Sequence, residues 1–406
     1  MNLEFFISRR LAFSSGQSFS RFVVRVATIA VALSVAVMIV AGAIVHGFQE
    51  EISNKVFGFW GHVSIRSYEQ NSAYGEEPIS VKQPFYPVLE RIPGIRHIQV
   101  VATKAGIIKT NSEIEGIVLR GIGSDFDWSF MKRYIVDGNN FSAGDSGSEK
   151  KIIISQTTAD RLEVKLGDSL RIFFIQEPMR AARLKIVGIY KTGLDEYDRE
   201  YALVDIGLIQ RLNNWSSDEI GGFEVFINDV RDLDRLGNTI NEDYVGQRLQ
   251  AKTMRQINPN LFDWLDLQNM NERVIIILMI LVAIINMTTV LLILILERTN
   301  MIGVLKSLGG SNWMIRKIFL YHAMYITGLG LLLGNGMGIG LSLAQKYFHL
   351  IKLDEQSYYV SVAPILIDPA YVLAINVGTL VICFLTLIIP SYLVSRISPV
   401  KAMRFE

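Results

Sequence analysis

The sequence predicts an α-helical membrane protein with four transmembrane helices, arranged one plus three, and a large α+β extracytoplasmic domain between the first two. Three observations carry that reading. Mean hydropathy is +0.30 and half of the 406 residues are apolar, yet 19% are charged, so the two classes must be segregated along the chain. Phe22–Phe48, Val274–Leu296, Ile318–Leu343 and Tyr371–Leu393 are nearly free of charge, and each is long enough to cross about 30 Å of hydrocarbon at about 1.5 Å per residue. Between the first two runs, residues 48–273 hold 27 Lys+Arg against 33 Asp+Glu, a net of −6, in a segment long enough to bury its own core. That slightly acidic balance excludes nucleic acid, which demands a basic stripe.

Residues 1–21 read as a cytoplasmic amphipathic helix, with Leu3, Phe6, Ile7 and Leu11 at helical spacing around Arg9 and Arg10. The first span covers 22–48. Its Ala41-Gly42-Ala43 mimics a signal-peptide cleavage site, but the apolar run continues through Ile44 and Val45, too far for a typical signal, so the span is read as retained. Residues 49–273 form the extracytoplasmic domain, with helical stalks at Gln49–Phe59 and Leu261–Arg273. HVSIRSY alternates as a strand, Ile98–Thr110 and Glu113–Arg120 make a hairpin about Asn111-Ser112, and Phe85–Arg91 reads as a short helix before Pro93-Gly94. Lys151–Ile154 is a strand and Gln156–Leu166 an amphipathic helix closed by Gly167. Ser169–Ile175 and Arg183–Tyr190 then form a hairpin that protrudes at Glu177, Pro178, Met179 and Arg180. An acidic turn at Leu194–Glu200, strands at Tyr201–Val204 and Phe223–Asn228, and a helix at Leu233–Tyr244 complete the domain. The second span is 274–296, followed by a cytoplasmic loop 297–317, a third span 318–343, a short outer loop 344–370, a fourth span 371–393 and a tail 394–406.

Orientation follows from the short segments. Arg9, Arg10 and Arg21 precede span one; Arg298, Lys306, Arg316 and Lys317 lie between spans two and three; Arg396, Lys401 and Arg404 end the chain. The loop between spans three and four is the acidic one, with Asp354, Glu355 and Asp368. Both termini are therefore expected in the cytoplasm.

In the cytoplasmic loop, Met301, Val304, Leu305 and Leu308 share a helical face, Gly309-Gly310 stops the helix and Ser311 caps the next. Such a crosswise helix either docks into a groove on a partner or rests on lipid; both readings stand. Span three carries Gly330, Gly334 and Gly338 at four-residue spacing, with Gly336 and Gly340 on an adjacent face, which lets another helix approach closely. Asn286, in the middle of span two, is expected to face a helix partner or a cavity.

Chemistry is missing by pattern. There is no P-loop, no HExxH and no GxSxG, and the histidines at 46, 62, 97, 322 and 349 are scattered. Asp195, Glu196, Asp198 and Glu200 lack the Gly and terminal Glu of a calcium loop and read as a solvated turn. The single cysteine, Cys383, lies in span four, so the outer domain has no disulfide. No catalytic residue, metal site or cofactor is expected on this chain.

Several stretches together carry a family resemblance: ISRRLAF before span one, HGFQEEISNKVFGFWGHVSI after it, IIISQTTADRLEVKLGDSL, GIYKTGLDEYDREYALVDI, INMTTVLLILILERTNMIGVLKSLGGSNWMIRKIF, and the terminal SRISPVKAMRFE. Across the whole chain the sequence resembles the permease subunits of lipoprotein-releasing ABC transporters (the LolC/LolE type), within the MacB-like and FtsX-like permeases. The resemblance implies a periplasmic domain of the MacB-like type and a multi-pass protein in the inner membrane of a diderm bacterium. It implies pairing with a second copy or a sister permease, and a separate ATPase dimer that holds ATP and Mg. The ATPase would be bound through Met301, Ile302, Gly303, Val304, Leu305, Lys306, Leu308 and Gly309. Acylated lipoproteins would enter a cavity between the two paired permeases, lined by their first and second spans, and leave to a periplasmic lipoprotein carrier. The family's carrier-binding hook corresponds here to the tip at Glu177–Arg180, which is shorter, so hook and plain hairpin both stand. The alternative function is mechanotransmission to a periplasmic partner, or efflux, without lipoprotein extraction.

Overall fold

A computed structural model describes residues 4, 6, 19–68, 76–110 and 113–392. The expected N-terminal amphipathic helix (apart from Glu4 and Phe6, which are helical), the Asn111-Ser112 turn and the tail 394–406 lie outside the described residues. The chain divides into two compact units. A helical unit takes the chain up to Glu50, Trp264–Lys352 and the chain from Val362 on; a sheet unit takes Glu51–Asp263 and Leu353–Ser361.

The helical unit is built on α1 (Phe19–Trp60), α2 (Pro259–Glu297), α3 (Thr299–Ser307), α4 (Asn312–Phe348) and α5 (Pro369–Ser391). Among the described residues, α1, α2, α4 and α5 are the four helices long and apolar enough to cross a membrane. Three run well past their apolar cores, because the flanks are capped and continue in helix-forming residues. Pro259 and Pro369 sit at helix starts, where a missing N–H costs nothing. Asp368 accepts the Ala370 N–H at 2.9 Å, and Ser311 accepts the Met314 N–H at 3.1 Å. Val31, Val35, Met38 and Ile39 of α1 pack with Met287 and Leu291 of α2 and with Phe319, Ala323 and Ile326 of α4 in one apolar core.

The sheet unit is mixed α/β. Its strands are β1 (Val63–Ser67), β2 (Ile79–Ser80), β3 (Ile95–Lys109), β4 (Ile114–Ile122), β5 (Ile135–Gly138), β6 (Lys151–Ser155), β7 (Ser169–Phe174), β8 (Arg180–Tyr190), β9 (Tyr201–Asp205), β10 (Glu219–Ile220), β11 (Gly222–Ile227) and β12 (Leu249–Thr253). The main sheet runs β12-β1-β11-β3-β4-β9-β6-β8-β5, with β7 paired to β3 and β8. The β4–β9 and β6–β8 pairs are parallel and the others antiparallel. Strand period two splits the core cleanly. Ile152 and Ile154 join Leu119, Ile172 and Ile186 under the helices at 156–162 and 206–213. Ile153 points the other way, with Phe59, Phe126, Phe130, Tyr190 and Leu203.

Four local expectations are corrected. The helix expected over Gln156–Leu166 stops at Leu162, because Glu163 turns left-handed at φ 53°, so Val164 and Leu166 leave it despite their spacing. Phe85–Arg91 holds only a 3-10 turn at Val88–Arg91, with Pro87 unable to donate within it. The acidic turn is a short helix, Asp195–Glu200, and Asp198 in it is 2% exposed rather than solvated. Its carboxylate accepts the Thr192 N–H, the Thr192 hydroxyl and the Gly193 N–H, bonds that oppose the burial that pushes its pKa up. The helix expected over Leu233–Tyr244 is α-helical only to Thr239 and widens to a π-turn over Ile240–Tyr244.

Candidate coupling, packing and docking surfaces

The loop after α2 forms α3 with almost no interruption. The Arg298 N–H reaches the Leu294 carbonyl at 3.2 Å, and the Ile302 N–H reaches the Arg298 carbonyl at 3.0 Å. The helix then ends on Gly309 at φ +89°, a conformation that suits glycine, while the Gly310 N–H closes on the Leu305 carbonyl at 2.9 Å. The residues expected to dock divide into two sets. Ile302 and Gly303 are buried, and Met301 and Leu305 pack against the helical core. Val304 and Leu308, one turn apart, are exposed at 50% and 80%, and Gly309 is exposed beside them. Lys306 is half-buried. The outward apolar face is thus narrower than the sequence suggested. Trp313, at the start of α4, is an exposed apolar side chain in the same loop region that the periodicity did not single out.

The glycines of α4 face α1 in step. A Cβ on Gly330 would lie 2.8 Å from the Val31 Cβ; on Gly334, 2.8 Å from the Val35 Cβ and 2.7 Å from the Ala32 carbonyl oxygen; on Gly338, 3.0 Å from the Ile39 Cβ. Val31, Val35 and Ile39 repeat every four residues, so two four-residue ridges meet where only glycine leaves room. Gly336 and Gly340 face open space. Asn286 is half-buried on α2. The polar contact the sequence reading missed is Asn335 of α4 with Asn376 of α5. Each amide donates to the other's oxygen, at 2.6 and 2.9 Å, and each also donates to the carbonyl four residues back. In hydrocarbon such a pair satisfies groups that lipid cannot.

In the sheet unit, Ser64, Glu224 and Gln99 stand in register across β1, β11 and β3. Glu224 accepts from Arg120 of β4 at 2.5 Å and from the Gln99 amide at 2.8 Å. Both members of the ion pair are 1% exposed. The Arg120 guanidinium lies 4.9–5.5 Å from the ring centres of Phe59, Trp60 and Phe126. Burial pushes the Glu224 pKa up, and Arg120 opposes it. Nearby, His62 stacks on Phe57 at 4.4 Å, and burial depresses its pKa to about 4, so it stays neutral and accepts the Ile227 N–H.

The β7–β8 tip is pinned rather than free. Arg180 donates to the carbonyls of Arg211 and Leu212 at 2.8 and 2.7 Å and to the Asn214 side chain at 2.7 Å. Gln176 adds a bond to Leu212 at 3.0 Å. These groups cap the helix Ile206–Asn213 at the end where its carbonyls are unpaired and cations are favoured. Glu177, Pro178 and Met179 project outward, Met179 at 74% exposed. Among the described residues no three His, Cys, Asp or Glu side chains gather as metal ligands.

Comparison with known proteins bears on these surfaces. The family model described as the MacB-like periplasmic core domain matches residues 26–242, and that described as the FtsX-like permease C-terminal matches residues 273–399. The chain is 24% identical to the lipoprotein-releasing system transmembrane protein LolC of Neisseria meningitidis, over 100% of both chains. It is 22% identical to the LolE protein of Haemophilus influenzae, over 99% of both. The solved periplasmic region of MacB from Actinobacillus actinomycetemcomitans aligns with 49% of this chain and 91% of its own length, at 11% identity and a TM-score of 0.35.

Proposed function

We propose that this chain, which belongs to the permease family that joins a MacB-like periplasmic core domain to an FtsX-like C-terminal module and is of the LolC/LolE type, extracts acylated lipoproteins from the inner membrane for a periplasmic carrier. Work must come from elsewhere. Pulling acyl chains out of a bilayer costs about 0.8 kcal/mol per CH₂, so a multiply acylated anchor costs on the order of tens of kcal/mol. An ATPase on a separate chain supplies it, and a second copy or sister permease completes the pathway, with one span preceding the domain, three following it and both termini in the cytoplasm.

The observation that supports this reading most is the short path from α3 into α2, which are joined through Arg298 alone. A push on Val304 and Leu308 is delivered to a helix of 39 residues without a flexible joint, and such helices move as rigid bodies. The stripe of α4 glycines packs that helix closely on α1, and α1, α2 and α4 share one apolar core. The short, pinned β7–β8 tip favours placing the main carrier contact on the partner permease, with Ile175 and Met179 as exposed apolar side chains at the tip of this chain.

The test is Val304→Asp with Leu308→Asp. Both side chains are exposed, so membrane insertion and yield should be unchanged, while co-purification of the ATPase falls at least ~10-fold, as for loss of two interface anchors at about 1 kcal/mol or more each. Undiminished ATPase binding would remove this face from the coupling site.

A further inference from the structure

Three titratable side chains from three different helices meet inside the helical unit. His46 of α1 faces Glu272 of α2, Nε2 to Oε2 at 3.8 Å. Tyr371 of α5 stands edge-on to the His46 ring with centroids 4.7 Å apart. Its hydroxyl lies between Glu272 and the Met38 carbonyl oxygen, 3.5 Å from the latter. The seat for Tyr371 is cut into α1 by Gly42, where a Cβ would lie 2.2 Å from the tyrosine ring. Glu272 is 5% exposed, and its Oε1 has no hydrogen-bond partner among the described residues. A buried carboxylate with an unpartnered oxygen is costly, and a costly ionisable group among the helices of a membrane protein points to a functional role.

We infer that His46, Glu272 and Tyr371 form a latch across α1, α2 and α5, poised open in this structure. The 3.8 Å gap is about 1 Å longer than a charge-assisted hydrogen bond, so a small approach of α1 to α2 lets the imidazole N–H donate to Oε2. With Tyr371 donating to the same carboxylate, the three helices are then clasped at one level. Release of that clasp changes the spacing of α1 and α2, the two spans that line the proposed cargo cavity between the paired permeases. The latch stands on these helix contacts, and only its role in cargo entry rests on the transport reading.

The experiment uses the full chain with its ATPase in proteoliposomes. Gln49 and Leu265, already joined by a 3.1 Å side-chain hydrogen bond, are replaced by cysteines in a Cys383→Ala background. Disulfide formation is timed without nucleotide and after trapping with ADP and vanadate. The latch predicts rates that differ by at least ~5-fold between the two states, the low end of ordinary conformational coupling. Glu272→Gln and His46→Ala should each erase the difference, and Gly42→Ala, which displaces Tyr371 without touching either charge, should do the same. Rates unaffected by nucleotide, or a difference that survives Glu272→Gln in monodisperse protein, would overturn it. Lipoprotein release by the unsubstituted protein is scored separately, so failure of transport and failure of the latch are distinguishable.

Discussion

Replacing Glu224 by alanine should destabilise the protein by about 3–5 kcal/mol, because it leaves the Arg120 charge buried without its counter-ion. The carboxylate is the acceptor that meets Arg120, at 2.5 Å, and the surrounding Phe59, Trp60 and Phe126 offer ring faces but no anion. Removing both charges is a different case. Arg120→Met with Glu224→Leu fills the same volume with apolar atoms and leaves only the Gln99 amide to find a new acceptor, so it should cost far less than the single change. Unfolding of the detergent-solubilised full-length chain, followed for the single and double variants, measures the difference. Equal losses would mean that packing, not the pair, sets the energy of this site.

Gly334→Leu should be the most damaging single change in the spans. A Cβ there already meets the Ala32 carbonyl oxygen at 2.7 Å and the Val35 Cβ at 2.8 Å. The first is backbone and the second lies beside it, so neither can rotate away, and α4 must move off α1. Overpacking of this kind costs about 1–3 kcal/mol even where the neighbours can yield, and here the loss should reach the upper end. Gly336→Leu, two residues on and facing open space, should leave the isolated chain within about 0.5 kcal/mol of the parent. Thermal unfolding of the two variants side by side reads the contrast, and similar behaviour would contradict the α1–α4 contact.

Much of this was legible in the residues. Four long helices could be expected from hydropathy because twenty-odd uncharged residues have few other homes, and the i, i+4 spacing of Gly330, Gly334 and Gly338 puts them on one line of one helix. Which helix they meet is not written in the spacing; Val31, Val35 and Ile39 look like any apolar residues of a span. The docking face of α3 was half legible. Periodicity groups Met301, Val304, Leu305 and Leu308, but a helix with protein on one side and water on another has two apolar flanks, and only packing against the core separates Leu305 from Leu308. The helix Ile206–Asn213 escaped because Gly207 weakens its propensity, while its real signals are local: Asp205 accepting the Gly207 N–H and Asn214 taking the left-handed turn. The Asn335–Asn376 pair and the Arg120–Glu224 pair join residues 41 and 104 positions apart, a distance no local pattern spans.

Under the proposed function, ATP hydrolysed on a separate chain drives this permease to release acylated protein from the membrane. That function is tested most directly by reconstituting the chain with its co-purifying ATPase, and any permease that co-purifies, in vesicles loaded with a triacylated lipoprotein, and assaying transfer to a soluble carrier. Transfer should depend on ATP and be lost when Val304 and Leu308 are both replaced by aspartate. ATP hydrolysis by the intact complex with no lipoprotein leaving the vesicles would contradict the proposed function.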